Sequence, residues 1–305
     1  MIYDKIGVLT YMYNINMIKL LLLIYFIIGI SGLNQLSFSG GGAFGAIEIG
    51  IIKKLNEIDN KHYDIYTGIS AGGLNVGILS YFHDLTLGIK EAETIYSEMR
   101  THHVYEVLPQ TGVSLLNTHP LFKTLTEIVD KMPNPPCINT MIGATNLYTG
   151  NLDVYNFNEI DNKNKVLLLM STSAIPVVFP PITFQKNMYA DGGTLSNELL
   201  DIIHTDRYLN ITYITPYNGL IPDTNPITDL KEMIVRTIQV VKKNYNNPIS
   251  KLNQNCNNNS PIGEINMYYV NSDRLAGYSM LSFNHGQELI DIGYNNMEHK
   301  KYTLC

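Results

Sequence analysis

The stretch LNQLSFSGGGAFGAIEIGIIKKLNEI (residues 33–58) carries three patterns in succession. Leu36 and Phe38 alternate with polar neighbours, the period of a strand, and a cluster of glycines from Gly40 to Gly45 breaks the pattern. Ile47, Ile51 and Leu55 then recur at helical spacing. The next stretch, YDIYTGISAGGLNVGILSYF (63–82), repeats the plan: a short β-rich run, a glycine, then a helical continuation. Two consecutive strand–turn–helix units predict an α/β fold with parallel strands joined by crossover helices.

The rest of the chain fits that plan. GIKEAETIYSEMR (88–100) and HPLFKTLTEIVDKM (119–132) read as helices, the second with Thr118 as N-cap and Pro120 in its first turn. INTMIGATNLYTGNLDVYNF (138–157) reads as two strands turning at Thr149-Gly150-Asn151. VLLLMSTSA (166–174) predicts a buried helix that ends before Pro176. RYLNITYIT (207–215) predicts a strand and DLKEMIVRTIQVVKKNY (229–245) an amphipathic helix. Residues 244–263 are asparagine-rich and without period, a loop inside one domain, because strand and helix patterns resume with INMYYVNS and GQELIDIGYNNM.

Three motifs carry chemistry. Gly40-Gly41-Gly42-Ala43-Phe44-Gly45 satisfies G-x-G-x-x-G between a strand and a helix. Such a turn aims backbone N–H groups at a pyrophosphate, with Asp64 standing where a ribose-binding acid would be; equally, it could aim them at a developing oxyanion. Gly68-Ile69-Ser70-Ala71-Gly72 satisfies G-x-S-x-G where a strand gives way to a helix, the setting of a strained nucleophilic serine. Asp191-Gly192-Gly193 follows an apolar run and is either a plain turn or the seat of a base. None of His62, His83, His102, His103, His119, His204, His285 and His299 stands in a triad-like setting. A serine here would therefore depend on a carboxylate, a weak base that needs an oxyanion site and a dry pocket. In STSAIPVVFPP (171–181) three prolines set a loop, and Val177, Val178 and Phe179 either line an acyl pocket or fill the core.

Taken in order, SGGGAFGAIEIGIIKKL, GISAGGLN, STSAIPVVFPP and YADGGTLSNE resemble the patatin-like phospholipase family over roughly Leu36 to Met297. The resemblance implies a three-layer α/β/α fold around a mainly parallel sheet, over residues 35–300. It implies lipid acyl hydrolysis by a Ser–Asp dyad, with Ser70 as nucleophile and Asp191 as general base, and no metal or cofactor. Gly40, Gly41 and Gly42 would form the oxyanion hole, with Gly45, Gly68, Gly72, Gly192 and Gly193 as motif glycines. The implied partner is a phospholipid or other acyl lipid at a membrane or lipid surface. The same dyad could pass the acyl group to an alcohol instead of water. Two positions depart from the family's usual residues: Ser39 replaces an Asp, and Phe44 replaces a Lys or Arg.

Bulk properties fit a globular protein, and length alone allows one large α/β domain or two smaller ones. Lysine and arginine number 21 against 27 acidic residues, a net charge of −6, which argues against nucleic acid as partner. Cys137, Cys256 and Cys305 are too scattered for a zinc site and read as free thiols, or as one bridge and a free thiol if the chain is exported. Residues 1–34 hold the apolar run Leu20 to Ile28 after Lys19, with Gly29 and Ser31 beyond it. That run is short for a membrane span and fits a signal peptide or anchor, or else a docked hydrophobic helix. A membrane-associated or secreted protein is the expectation.

Overall fold

Strand β1 (Leu33–Phe38) runs into the glycine turn and then helix α1 (Gly45–Asp59), and β2 (Ile65–Ile69) runs into α2 (Ala71–Leu79), as the two opening units predict. This computed structural model describes residues 32–107, 112–133, 135–200, 209–219, 221, 227, 230–245 and 263–304. Helices α3 (Leu85–Glu98), α4 (Thr101–Val104) and α5 (His119–Lys131) follow, with short strands β3 (Glu106–Val107) and β4 (Leu116–Asn117) paired between them. Then come β5 (Asn139–Asn146), β6 (Leu152–Asn156), α6 (Asn162–Thr172), β7 (Ile182–Phe184) and β8 (Asn187–Asp191). The chain continues with β9 (Leu209–Asn218), α7 (Leu230–Tyr245), β10 (Gly263–Asn271), α8 (Gly286–Asn295) and β11 (Met297–Leu304). The apolar run Leu20 to Ile28, residues 246–262 of the asparagine-rich stretch, Cys256, Cys305 and His204 lie outside the described residues.

The main sheet has the order β11-β10-β9-β1-β2-β5-β8-β7, with β6 paired to β5. Its centre, from β10 to β5, is parallel, and antiparallel pairs close both edges. Register decides what meets at the top of this sheet. Phe38 lies opposite Gly68, so the turns that follow β1 and β2 emerge side by side. Ile69 lies opposite Gly143 and Ala144 opposite Asp191, so β5 carries the end of β8 to the end of β2.

Alternation along the central strands separates two faces. Leu36 and Phe38 enter the large core beneath helices α1, α2, α3 and α8, together with Ile47, Ile51, Val76 and Ile290. On the other side, the Gln35 and Thr67 side chains both hydrogen-bond the Leu199 carbonyl, and a smaller cluster holds Leu200, Ile211 and Ile265. Helices thus flank a sheet with a parallel centre, the α/β arrangement expected. Helices α1 and α8 approach so closely that a Cβ on Gly50 would lie 2.0 Å from the Ile290 carbonyl oxygen. Thr118 precedes α5 as expected, yet its side chain makes no cap bond; Asn117 Oδ1 accepts the His119 N–H instead.

Candidate active site

Ser70 sits between β2 and α2 with φ 54° and ψ −126°, a left-handed conformation that costs a non-glycine residue on the order of 1–3 kcal/mol. Tight packing over-determines it. A Cβ on Gly68 would lie 2.4 Å from the Gly72 carbonyl oxygen, and one on Gly72 2.4 Å from that of Ser39. Both motif glycines are therefore required by close backbone approach. The Gly72 N–H also donates to the Ser39 carbonyl at 3.0 Å, tying the elbow to the first glycine turn.

Ser70 Oγ donates to Asp191 Oδ2 at 2.7 Å, and both residues are buried. The other carboxylate oxygen, Asp191 Oδ1, accepts the Gly193 N–H at 2.7 Å. Gly192 packs against the Gly143 carbonyl, where a Cβ would not fit. This pairing brings together the second and third sequence motifs. Among the described residues no histidine lines the cavities beside Ser70, and no group of three or more His, Cys, Asp or Glu is placed to hold a metal ion.

The block STSAIP holds both partners from behind. Thr172 Oγ1 accepts the Ser70 N–H at 2.9 Å and donates to the Gly143 carbonyl at 2.6 Å. The Asp191 N–H donates to the Ala174 carbonyl at 2.8 Å. Of the three residues proposed from sequence to line a pocket, Phe179 does so, Val178 is fully buried in the core, and Val177 is largely exposed. The neighbours Ile175 and Pro176, passed over in the sequence, are the ones beside Ser70.

The glycine turn is held on three sides. Gly40 is bracketed by Asn197, whose carbonyl accepts the Gly40 N–H and whose Nδ2 donates to the Gly40 carbonyl, each at 3.2 Å. A Cβ on Gly40 would strike Ser70 Cβ at 2.9 Å. Gly42, at φ 59°, packs against the Met280 carbonyl, which accepts the Ala43 N–H. The N–H groups of Gly41 and Gly42 have no partner among the described residues. Gly45 opens α1 against Ala71, behind the elbow.

Ser39 and Phe44 find structural roles. Fully buried Glu48 accepts from the Ser39 N–H at 3.0 Å and from Asn75 Nδ2 at 2.9 Å, so one carboxylate joins the glycine turn to helix α2. Tyr96 donates to Asn75 Oδ1 at 2.8 Å; burial, reinforced by the Glu48 charge, holds its phenol well above the usual tyrosine range. Phe44 is wholly buried, edge-on to Tyr217 with ring centroids 5.8 Å apart. Asp64 accepts the Asn34 N–H at 2.8 Å, a backbone contact at the start of β1.

Two cavities meet at Ser70. The first, about 710 Å³ counting space open to solvent, begins at Gly42 and Ala71 and runs between Leu74, Ile95, Leu125 and Phe179. The second, about 920 Å³ by the same measure, is bounded by Asp191, Thr194 and Met280 and by Met233, Ile234 and Ile238 of helix α7. Nothing in the sequence tied α7 to Ser70; its apolar periodicity was the only signal.

The family model for patatin-like phospholipases matches residues 36–203. No curated protein matches the chain. Among solved structures, VipD from Legionella pneumophila is 13% identical, with 88% of this chain and 68% of that one covered and a TM-score of 0.40. The heterodimeric ExoU–SpcU complex from the type III secretion system of Pseudomonas aeruginosa is 11% identical, covering 88% and 53%, with a TM-score of 0.29. The type III effector ExoU is 13% identical, covering 89% and 55%, with a TM-score of 0.30. The chain spans about half the length of the two ExoU chains. Among the described residues no helix is long and apolar enough to cross a membrane.

Proposed function

The chain belongs to the patatin-like phospholipase family, and from that premise we propose that it is a lipid acyl hydrolase working through an acyl-Ser70 intermediate. The observation that carries the proposal is the 2.7 Å hydrogen bond from Ser70 Oγ to Asp191 Oδ2, made by a serine held on a strained elbow. Asp191 accepts the hydroxyl proton as Oγ attacks the ester carbonyl carbon. The carbonyl oxygen becomes an oxyanion facing the N–H groups of Gly41 and Gly42 and of Ala71 at the start of α2. Gly40, whose N–H is committed to Asn197, contributes by giving the turn room beside Ser70.

Collapse of that intermediate breaks the ester C–O bond, and the leaving alcohol oxygen takes the proton from Asp191. Water then adds to the acyl-enzyme, gives its proton to Asp191, and the proton returns to Ser70 Oγ as the fatty acid leaves. Two features compensate for a carboxylate base: Ser70 and Asp191 are both buried, and the backbone donors are fixed in advance. The substrate in this reading is a phospholipid or related acyl ester presented at a lipid surface.

A panel of lipid esters assayed by mass spectrometry of products tests the proposal. Wild type is expected to release fatty acid and to be labelled by a fluorophosphonate. Ser70→Ala is expected to do neither, and Asp191→Asn to lose about 10²- to 10⁴-fold in rate. Full lipolytic activity in Ser70→Ala overturns it.

A further inference from the structure

The two cavities at Ser70 are chemically unequal, and we infer that they divide the substrate between them. Resting on the proposed acyl transfer, this assigns the acyl chain to the first cavity and the alcohol half to the second. It also names the class of alcohol: one that carries hydrocarbon of its own close to the ester oxygen, as a diacyl lipid does.

Proton bookkeeping sets the assignment. Asp191 lines the second cavity and is absent from the first, whereas Gly42 and Ala71 line the first and are absent from the second. The leaving oxygen must receive its proton from Asp191, so it departs on the side where Asp191 lies. The oxyanion forms against the glycine turn and the start of α2, at the head of the first cavity, and the acyl chain continues from there.

The walls then set the alcohol's character. Beyond Asp191 and Thr194 the second cavity is faced by Ile175, Met280, Ile234 and Ile238, and among the described residues no lysine or arginine lines it. Such walls gain nothing from a bare charged head group and stabilise methylenes placed against them. Met233, at the mouth, is half exposed, which leaves an apolar path from the surface to Asp191. Helix α7 lies beyond the residues matched by the family model, so this wall is a property of the chain's own later part.

The test uses decanoyl esters of methyl, butyl and octyl alcohol, held monomeric, with wild type, Ser70→Ala, Ile238→Trp and Thr237→Trp. Wild-type kcat/KM is expected to rise about tenfold or more from methyl to octyl. Either tryptophan is expected to flatten that rise while an acyl-length series on methyl esters keeps its slope. A flat alcohol series in wild type, with release still dependent on Ser70, overturns the inference and leaves the acyl hydrolase standing. So does an alcohol series unchanged in both folded tryptophan variants; should either fail to fold, the wild-type series and the other variant decide. Ester cleavage equal in wild type and Ser70→Ala overturns both.

Discussion

Asn197 grips Gly40 at both ends of its backbone, its carbonyl accepting the Gly40 N–H and its side-chain Nδ2 donating to the Gly40 carbonyl, across 157 residues of sequence. The pair reproduces a rung of a β-ladder using one side-chain bond. It fixes the plane of the glycine turn directly beside Ser70, so a loosened grip should appear in the chemical step.

Asn197→Ala removes the side-chain half of this bracket and leaves the backbone half. Its kcat is expected to fall about ten- to hundredfold, the size of effect that a small misplacement of reacting groups produces. KM on a soluble ester should change little, because the loss is felt in the transition state. Asn197→Asp, which turns a donor towards a carbonyl into an acceptor, should fall at least as far. Steady-state kinetics decide, and an unchanged kcat in Asn197→Ala removes the role.

Thr172 serves Ser70 from the opposite side, accepting its N–H while donating to Gly143. Thr172→Val leaves the buried Ser70 amide without its hydroxyl acceptor, which should cost about 1–3 kcal/mol by urea unfolding. Thr172→Ser keeps the hydroxyl and should recover most of that stability and most of the activity. Equal stability in the valine and serine variants contradicts this account.

Tyr63 is one of several tyrosines, with Tyr81 and Tyr217, whose phenols are raised by burial and together set an alkaline limit. Burial, opposed in part by its hydrogen bond with Thr212, pushes its phenol from 10.0 up to about 12. A raised folded-state pKa means that the folded form keeps its proton where the unfolded form releases it. Stability is therefore full below about pH 10 and is lost as pH rises through about 12, by roughly 2–3 kcal/mol for a two-unit shift. Tyr63→Phe should show a smaller loss between pH 9 and pH 12 than wild type (about these limits) in urea titrations. An identical loss assigns the alkaline limit to other groups.

Much of the site was legible before the fold. The glycine turn, the Ser70 elbow and Asp191-Gly192-Gly193 each bear a local mark, because a left-handed serine and a backbone crossing at 2.4 Å demand glycine at set neighbouring positions. Thr172, Glu48 and Asn197 bear no such mark. Each is an ordinary polar residue within its element, and its role exists only in its partner across 102, 9 and 157 residues respectively. Phe44 shows the same limit: its place in the motif was visible, its burial against Tyr217 was not.

By itself, the sequence determined that strands alternate with helices, that their junctions are glycine turns, and that a serine and an aspartate stand at two of those junctions. Backbone sterics and hydrophobic period act between near neighbours, so they are written in the order of residues. Tertiary structure alone decided that Ala144 pairs with Asp191 and Ile69 with Gly143, which places Asp191 2.7 Å from Ser70. It alone brought helix α7 back over the aspartate to form a second cavity. Strand register and helix return are set by the packing of distant segments, and no local pattern encodes a distance between them.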